Sequence, residues 1–469
     1  MTAPLVVVVG DVLLDIDTVG SVGRLCPDAP APVVEVDDER RRAGGAGLAA
    51  TLAAADGCEV VLVSPLADDP AAAELVSLLA PSVRLLALPA SGTTPVKHRV
   101  LAGSRGLVRI DRGTGAVADG TIPAEVAEAL RGADAVLVSD YGRGTTAVEE
   151  LRRLLTDAAR AVPVVWDPHP RGADPVPAAR LVTPNAAEAE AACSVGGTGL
   201  AAVGTRADAL VRRWDASAVA ITLGPRGALL SYGDGVPALV PARPVAGDDP
   251  CGAGDRFASR AAVQLAAGAV VSEAVESAVL AATDFVEAGG ASAVGARAGA
   301  ATASRPSSAP ALADVDDVLS RVRAGGGTVV ATGGCFDLLH AGHVATLEAA
   351  RRLGDCLVVC LNSDESVRRL KGAPRPLVTA ADRARVLTAL ECVDAVAVFD
   401  EDTPERVLRS IRPDVWVKGG DYAGARLPEQ EVLSAWGGQA VAVPYLQGRS
   451  STRLVRAAAL HPTTRGDHP

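Results

Sequence analysis

The chain has 469 residues, of which 49% are hydrophobic and 22% charged, which allows sizeable cores and argues against a wholly disordered chain. Its net charge is −11 with no long basic run, which argues against nucleic-acid or membrane-surface binding by bulk electrostatics but leaves room for local basic pockets. The eight cysteines are scattered and none forms C-x-x-C, as in a cytoplasmic chain with reduced thiols.

The N-terminus, MTAPLVVVVGD, lacks a basic segment and its apolar run is too short for a signal peptide; no stretch is long enough to span a membrane. Predicted strands follow in chain order: LVVVV (5–9), EVVLVS (59–64), DAVLVS (134–139), VPVVWD (162–167) and SAVAITL (217–223). Continuous apolar runs of this kind suit strands buried on both faces, and Ala/Leu-rich helical stretches separate them. The pattern predicts a doubly wound parallel sheet. Residues 291–311 are small, polar and turn-prone and read as a linker, followed by a helix over LADVDDVLSRVRAG. From 328 the alternation restarts: TVVAT, a helix from about 343, CLVVCLNS (356–363), a helix at 380–391, DAVAVF (394–399), a helix at 403–411, DVWVKGG (414–420), AVAVPY (440–445) and a last helix. Two α/β domains are expected, over 1–300 and 328–469, joined by 301–327.

Two stretches carry chemistry. GAGD (252–255) precedes an apolar helical run, so small residues and a carboxylate meet at a helix start. That is an anion pocket beside a carboxylate, or simply a cap. GCFDLLHAGH (334–343) puts His340 and His343 just past a strand. Zinc ligation, a solvated helix cap and a phosphate cradle compete. No Cys or carboxylate sits at a matching zinc spacing. The C-terminal edge of a parallel sheet and a helix N-terminus both favour an anionic ligand.

TGGCFDLLHAGH, with LNSDESVRRLKGAPRP (361–376), VKGGDY (417–422) and GRSSTRL (448–454) in order, resembles the HxGH nucleotidyltransferases. The resemblance implies that His340 and His343 stabilise charge on the attacked α-phosphorus, and that Lys371 and Arg375 clamp the outer phosphates. It also implies nucleotide binding by Gly334, Phe336, Asp337, Lys418, Asp421, Ser450, Ser451 and Thr452. Upstream, GDVLLD (10–15), AGGAG (43–47), SDYGRG (139–144), TPNAAEAE (183–190), TLGPRG (222–227) and GAGD resemble a ribokinase-type sugar kinase. By that resemblance Asp255 is the base, while Gly252, Ala253 and Gly254 form the anion hole. Asn185 and Glu188 organise Mg²⁺ through water with no direct protein ligand to the metal, Thr222 and Gly224 lie near ATP, and Asp11, Asp15, Gly44 and Gly45 face the sugar.

The fusion order, GDVLLDIDTVGSVGRLCPDAPAPVVEV (10–36) and VKHRVLAGSRGLVRID (96–111), is similar to the bifunctional enzymes of ADP-heptose synthesis. These join a heptose 7-phosphate kinase to a heptose 1-phosphate adenylyltransferase. The implied fold is a ribokinase-like doubly wound domain followed by a smaller Rossmann-like nucleotidyltransferase domain. The implied partners are a sugar phosphate, ATP with Mg²⁺, and a second copy through the kinase domain. Lys97, Arg99 and Arg109 would face the sugar phosphate; on residues alone they equally suit a solvated strand edge. Four positions depart from the family pattern: Leu48 for an asparagine, Cys251 for a threonine before GAGD, Arg256 after it, and His169 for a lysine. They leave open a non-catalytic, sugar-phosphate-binding first domain, another sugar phosphate, or CTP or GTP as the nucleotide.

Overall fold

A computed structural model of the protein describes residues 3–29, 31–103, 105–118, 122–245, 249–294, 314–419 and 427–443. The chain divides into two compact units, one of residues 1–196, 205–233 and 242–301, the other of 197–204, 234–241 and 302–469.

Among the described residues of the first unit, the strands are β1 (Leu5–Gly10), β2 (Val12–Leu25), β3 (Pro32–Gly45), β4 (Glu59–Leu66), β5 (Arg84–Ser91), β6 (Val96–Ala102), β7 (Arg105–Arg112), β8 (Ala116–Val117), β9 (Ala135–Ser139), β10 (Val164–Asp167), β11 (Leu181–Val182), β12 (Val219–Thr222) and β13 (Ala228–Ser231). The main sheet runs β13-β12-β11-β10-β9-β1-β4-β5-β8, parallel except at β13 and β8. Val6–Val9 of β1 are fully buried, as a strand covered on both faces requires.

A second sheet, β3-β2-β6-β7, pairs β2 with β6 in parallel and the rest antiparallel. The predicted strands did not include these four, although Lys97, Arg99 and Arg109, on β6 and β7, also suited a strand edge. Strand alternation puts Asp15 and Asp17 on one face and Ile16 and Thr18 on the other, so charge interrupts every apolar run. Helix Ala253–Ala266 packs beside helix Val271–Glu287 and buries Phe257, Ala258, Ala261, Ala262 and Leu265.

In the second unit, β14 (Ala238–Val240) falls in the 234–241 segment. The remaining strands are β15 (Val329–Gly334), β16 (Cys356–Asn362), β17 (Ala395–Phe399), β18 (Val415–Gly419) and β19 (Gln439–Val443). They lie in the order β17-β16-β15-β18-β19, all parallel. The order reverses between β15 and β18, and such a switch point opens a crevice at the strands' C-terminal ends. Asp314 caps helix Val315–Ala324 by accepting the Asp316 N–H. Residues 295–313, which hold most of the predicted linker, lie outside the described residues.

Candidate active sites

The first site gathers around Asp255, which is buried in the first turn of helix Ala253–Ala266. Gly252 caps that helix at φ +81, and a Cβ there would stand 2.9 Å from Leu48 Cδ2. A helix start leaves backbone N–H groups without intrahelical partners. Of the expected donors, the Ala253 N–H donates to the Pro250 carbonyl at 3.1 Å. Tyr141 Oη lies 2.8 Å from each Asp255 carboxylate oxygen. Burial pushes the Asp255 carboxyl up to about 7, against the Tyr141 hydrogen bond and the Lys97 charge, which favour ionisation. Asp167, at the end of β10, is pushed well above its usual range by burial and by the charges of Asp255 and Glu188.

The four-stranded sheet contributes a charged row. Asp15 lies 3.6 Å from Arg42 and 3.8 Å from Lys97; Asp17 lies 2.6 Å from Arg42 and 3.8 Å from Arg99. Asp15 Oδ1, Asp17 Oδ1 and Arg42 Nε and Nη2 are buried without hydrogen-bond partners. Buried polar atoms in that state point to a ligand that completes them. A Cβ on Gly44 would meet Asp15 Oδ2 at 2.6 Å, so only glycine lets the β3 backbone pass this close. Arg99 Nη2 donates to Cys251 Sγ at 2.8 Å, tying the row to the residue before the anion hole. Arg109, opposite Arg99 in register, is exposed and forks onto Asp111 at 2.8 Å, so it stands apart from the buried row.

Asp11 is occupied by the following loop, accepting from the N–H groups of Tyr141 (3.0 Å) and Arg143 (3.1 Å) and from Thr145 Oγ1 (2.6 Å). Gly45 lies against the same loop, its Cβ position 3.4 Å from Tyr141 Cδ2. Asn185 and Glu188 form a reciprocal capping box on helix Ala186–Ala192, and Asn185 bridges Thr222 at the end of β12. Gly224 begins the short helical turn Gly224–Arg226 at φ +60.

The departures find local partners. Leu48 is 2% exposed and sits in an apolar cluster with Leu52 and Ala291, flanked by Cys251 and Phe285. Arg256 makes a two-pronged pair with Asp56, at 2.8 and 2.9 Å. His169 accepts the Arg171 N–H at 3.2 Å, and burial lowers its pKa. Tyr141, Arg42 and Asp17 were not among the predicted site residues. SDYGRG, which includes Tyr141, was the available signal.

The second site forms where β15 ends. His340 caps helix Ala341–Arg351, and its ring stacks on His343 with centroids 3.9 Å apart. Phe336 packs on His343 at 5.4 Å from a backbone of φ +44, unusual for a bulky residue. Burial, then the charges of His340 and Lys371, bring His343 down to about 4, so it is neutral at pH 7. Gly334 lies under the Phe336 ring, its Cβ position 3.2 Å from Cε2.

Asp337 is buried and accepts the N–H groups of Leu377 (2.6 Å) and Val378 (3.1 Å) while pairing with Arg375. That pins the loop of Arg375–Val378 to the histidine loop. Arg383, missed in the sequence, is 1% exposed and adds a second pin. It donates to the carbonyls of Val378 (2.9 Å), Cys335 (2.5 Å) and Asn362 (2.9 Å), and to Asp364 (2.6 Å). Lys371 ends helix Asp364–Lys371. Lys418, on β18, pairs with Glu429 at 2.9 Å and lies over the Trp416 ring. Asp421, Ser450, Ser451 and Thr452 lie outside the described residues.

Residues 3–296 match the pfkB family carbohydrate kinases, and 331–443 match the cytidylyltransferase-like family. Fold and sites together define a carbohydrate kinase fused to a nucleotidyltransferase, a bifunctional enzyme. The Bifunctional protein HldE of Streptomyces coelicolor is 60% identical over 459 residues, covering 97% of this chain and 96% of that protein. That of Caulobacter sp. is 38% identical over 462 residues, covering 96% and 95%. The Escherichia coli phosphofructokinase-2 structure in complex with substrates and products matches 61% of this chain and 93% of its own, at 21% identity and TM-score 0.49. The chain belongs to the bifunctional HldE family.

Proposed function

We propose that residues 1–300 transfer the γ-phosphoryl group of ATP to the anomeric hydroxyl of D-glycero-D-manno-heptose 7-phosphate. Residues 328–469, reached through 301–327, then join ATP to heptose 1-phosphate and release pyrophosphate, after another enzyme removes the 7-phosphate. The observation that carries the reading is Asp255, a buried carboxylate at a helix start beside the Asp15/Lys97 end of the charged row. Asp255 takes the hydroxyl proton as the sugar oxygen bonds to phosphorus and the bond to ADP breaks. Of the helix-start N–H groups, that of Ala253 is held by the Pro250 carbonyl, and those of Gly252 and Gly254 serve the transferred group. Lys97, Arg99 and Arg42 supply cations for the 7-phosphate. In the second reaction, His340 and His343 donate to the α-phosphate as the sugar phosphate displaces pyrophosphate.

Asn185 and Glu188 suit Mg²⁺ held through water. Their oxygens are hard donors, and the capping bond engages Glu188 through Oε2, leaving Oε1 for a hydrated cation. When bound, Mg²⁺ neutralises charge on the triphosphate. A non-catalytic first domain is not favoured, since Asp255 and its surroundings are intact and the departures lie in packing or ion pairs. Val36, Val108 and Leu25 are exposed on the four-stranded sheet and support a homodimer through it. No helix among the described residues is long and apolar enough to cross a membrane, and a cytoplasmic location suits an enzyme that consumes ATP. The test pairs two assays on purified protein, heptose 7-phosphate and heptose 1-phosphate each against ATP, CTP and GTP. No ATP consumption with the first, or a preference for CTP or GTP with the second, would overturn the corresponding half. Light scattering at micromolar concentration tests the dimer.

A further inference from the structure

We infer that Tyr141 is a positioning residue for the phosphoryl transfer, its hydroxyl holding the Asp255 carboxylate by both oxygens in the enzyme that awaits its sugar. The inference rests on Asp255 being the base. Both Oη–Oδ distances are 2.8 Å. A carboxylate fixed at one edge has a single way to face an incoming hydroxyl, and a prealigned base lowers the cost of reaching the transition state. The tyrosine is itself fixed. Its N–H donates to Asp11 at 3.0 Å, and Asp11 also holds Arg143 and Thr145 of the same turn. Gly45 lets β3 pass the Asp11 carbonyl, which a Cβ there would meet at 2.5 Å. Burial and the neighbouring carboxylates push the phenol well above its ordinary pKa, so it remains a proton donor throughout the working pH range. Asp11 therefore acts on Asp255 through Tyr141, which gives the first aspartate of GDVLLD a role without sugar contact.

The groups acting on Asp255 are Tyr141 from the loop after β9 and Lys97 and Asp15 from β6 and β2, while Asp167 at the end of β10 is itself raised by the Asp255 charge. Tyr141 and Lys97 favour the ionised carboxylate; burial and Asp15 oppose it. Removing the phenol oxygen leaves the opposing groups in place.

The test is the pH dependence of kinase kcat/KM, which reports the enzyme before sugar binds. Tyr141→Phe in the full chain should move the acid limb upward by about one pH unit and lower kcat/KM near neutrality about tenfold, as expected for losing a hydrogen bond to a charged group. Nucleotidyl transfer in the same preparation should be unchanged. Loss of ring packing alone would lower thermal stability and leave the limb in place, so an unmoved limb overturns the inference. Should the phenylalanine variant not fold, 3-fluorotyrosine at 141 keeps the ring and strengthens the donor. It should move the limb downward, and no movement overturns the inference equally. Asp255→Asn separates the two levels. If it keeps kinase turnover, the base assignment fails. If it is inactive while both Tyr141 variants leave the limb unmoved, Tyr141 alone is misassigned.

Discussion

His340 and His343 stack with their rings 28° from parallel and their centroids 3.9 Å apart. Burial holds His343 neutral, and a charge on His340 at that spacing would add to the effect. A neutral imidazole still donates one N–H. Either His→Ala variant should lower nucleotidyl transfer about 10²–10³-fold, mostly in kcat. A zinc-selective chelator should have no effect with Mg²⁺ in excess. Stoichiometric zinc lost together with activity would mean that the pair binds metal.

The two reactions should differ in pH dependence. Asp255 must be ionised to accept a proton, and its carboxyl titrates at about 7. Kinase kcat/KM should therefore fall about tenfold per pH unit below that point. His343 titrates at about 4 and stays neutral above pH 5, so it imposes no such limb on nucleotidyl transfer. Parallel profiles for the two activities would contradict this assignment.

Leu48→Asn restores the residue expected by family resemblance, yet it should harm the protein. The position is 2% exposed among Leu52, Ala291 and Phe285, beneath Gly252. An amide there has no polar partner and should cost about 1–3 kcal/mol. The expected result is a lower melting temperature and a slower kinase, measured beside unchanged nucleotidyl transfer. A faster kinase would show that position 48 reads the sugar.

Arg383→Met should destabilise the second unit by on the order of 3 kcal/mol, since three backbone carbonyls and Asp364 lose their shared donor. Urea unfolding of the full chain measures the shift. Arg383→Lys should recover part of the stability and less of the transferase turnover, because an ammonium cannot fork to four acceptors.

Much of the main scaffold was visible in sequence. LVVVV and CLVVCLNS are strands because unbroken β-branched runs need cover on both faces. In the second unit every predicted strand has a counterpart within a few residues. The four-stranded sheet was hidden because Asp15, Asp17, Arg42, Lys97 and Arg99 form a charged layer at least partly buried, which hydropathy reads as loop. Arg383 was hidden for the same reason, since ADRARVLTAL has the look of a solvated helix face. Tyr141 was missed because its partner lies 114 residues away and only the fold joins them. The folded chain also shows Asp11 bonded to the loop after β9 and Arg375 bonded to Asp337, pairings that spacing alone does not reveal.

The row of buried Asp15, Asp17 and Arg42 with half-buried Lys97 and Arg99 is nearly self-neutral: two carboxylates stand against three cations. A phosphate dianion arriving there does not fall onto a bare basic surface; it trades places with carboxylates as the counter-ion. Most of the Coulomb energy is then exchanged instead of newly gained, and the cations are screened by the protein before they are screened by salt. Affinity for the sugar phosphate should accordingly depend weakly on ionic strength, while inorganic phosphate, which brings no hydroxyls for the released carboxylates, gains little from the exchange.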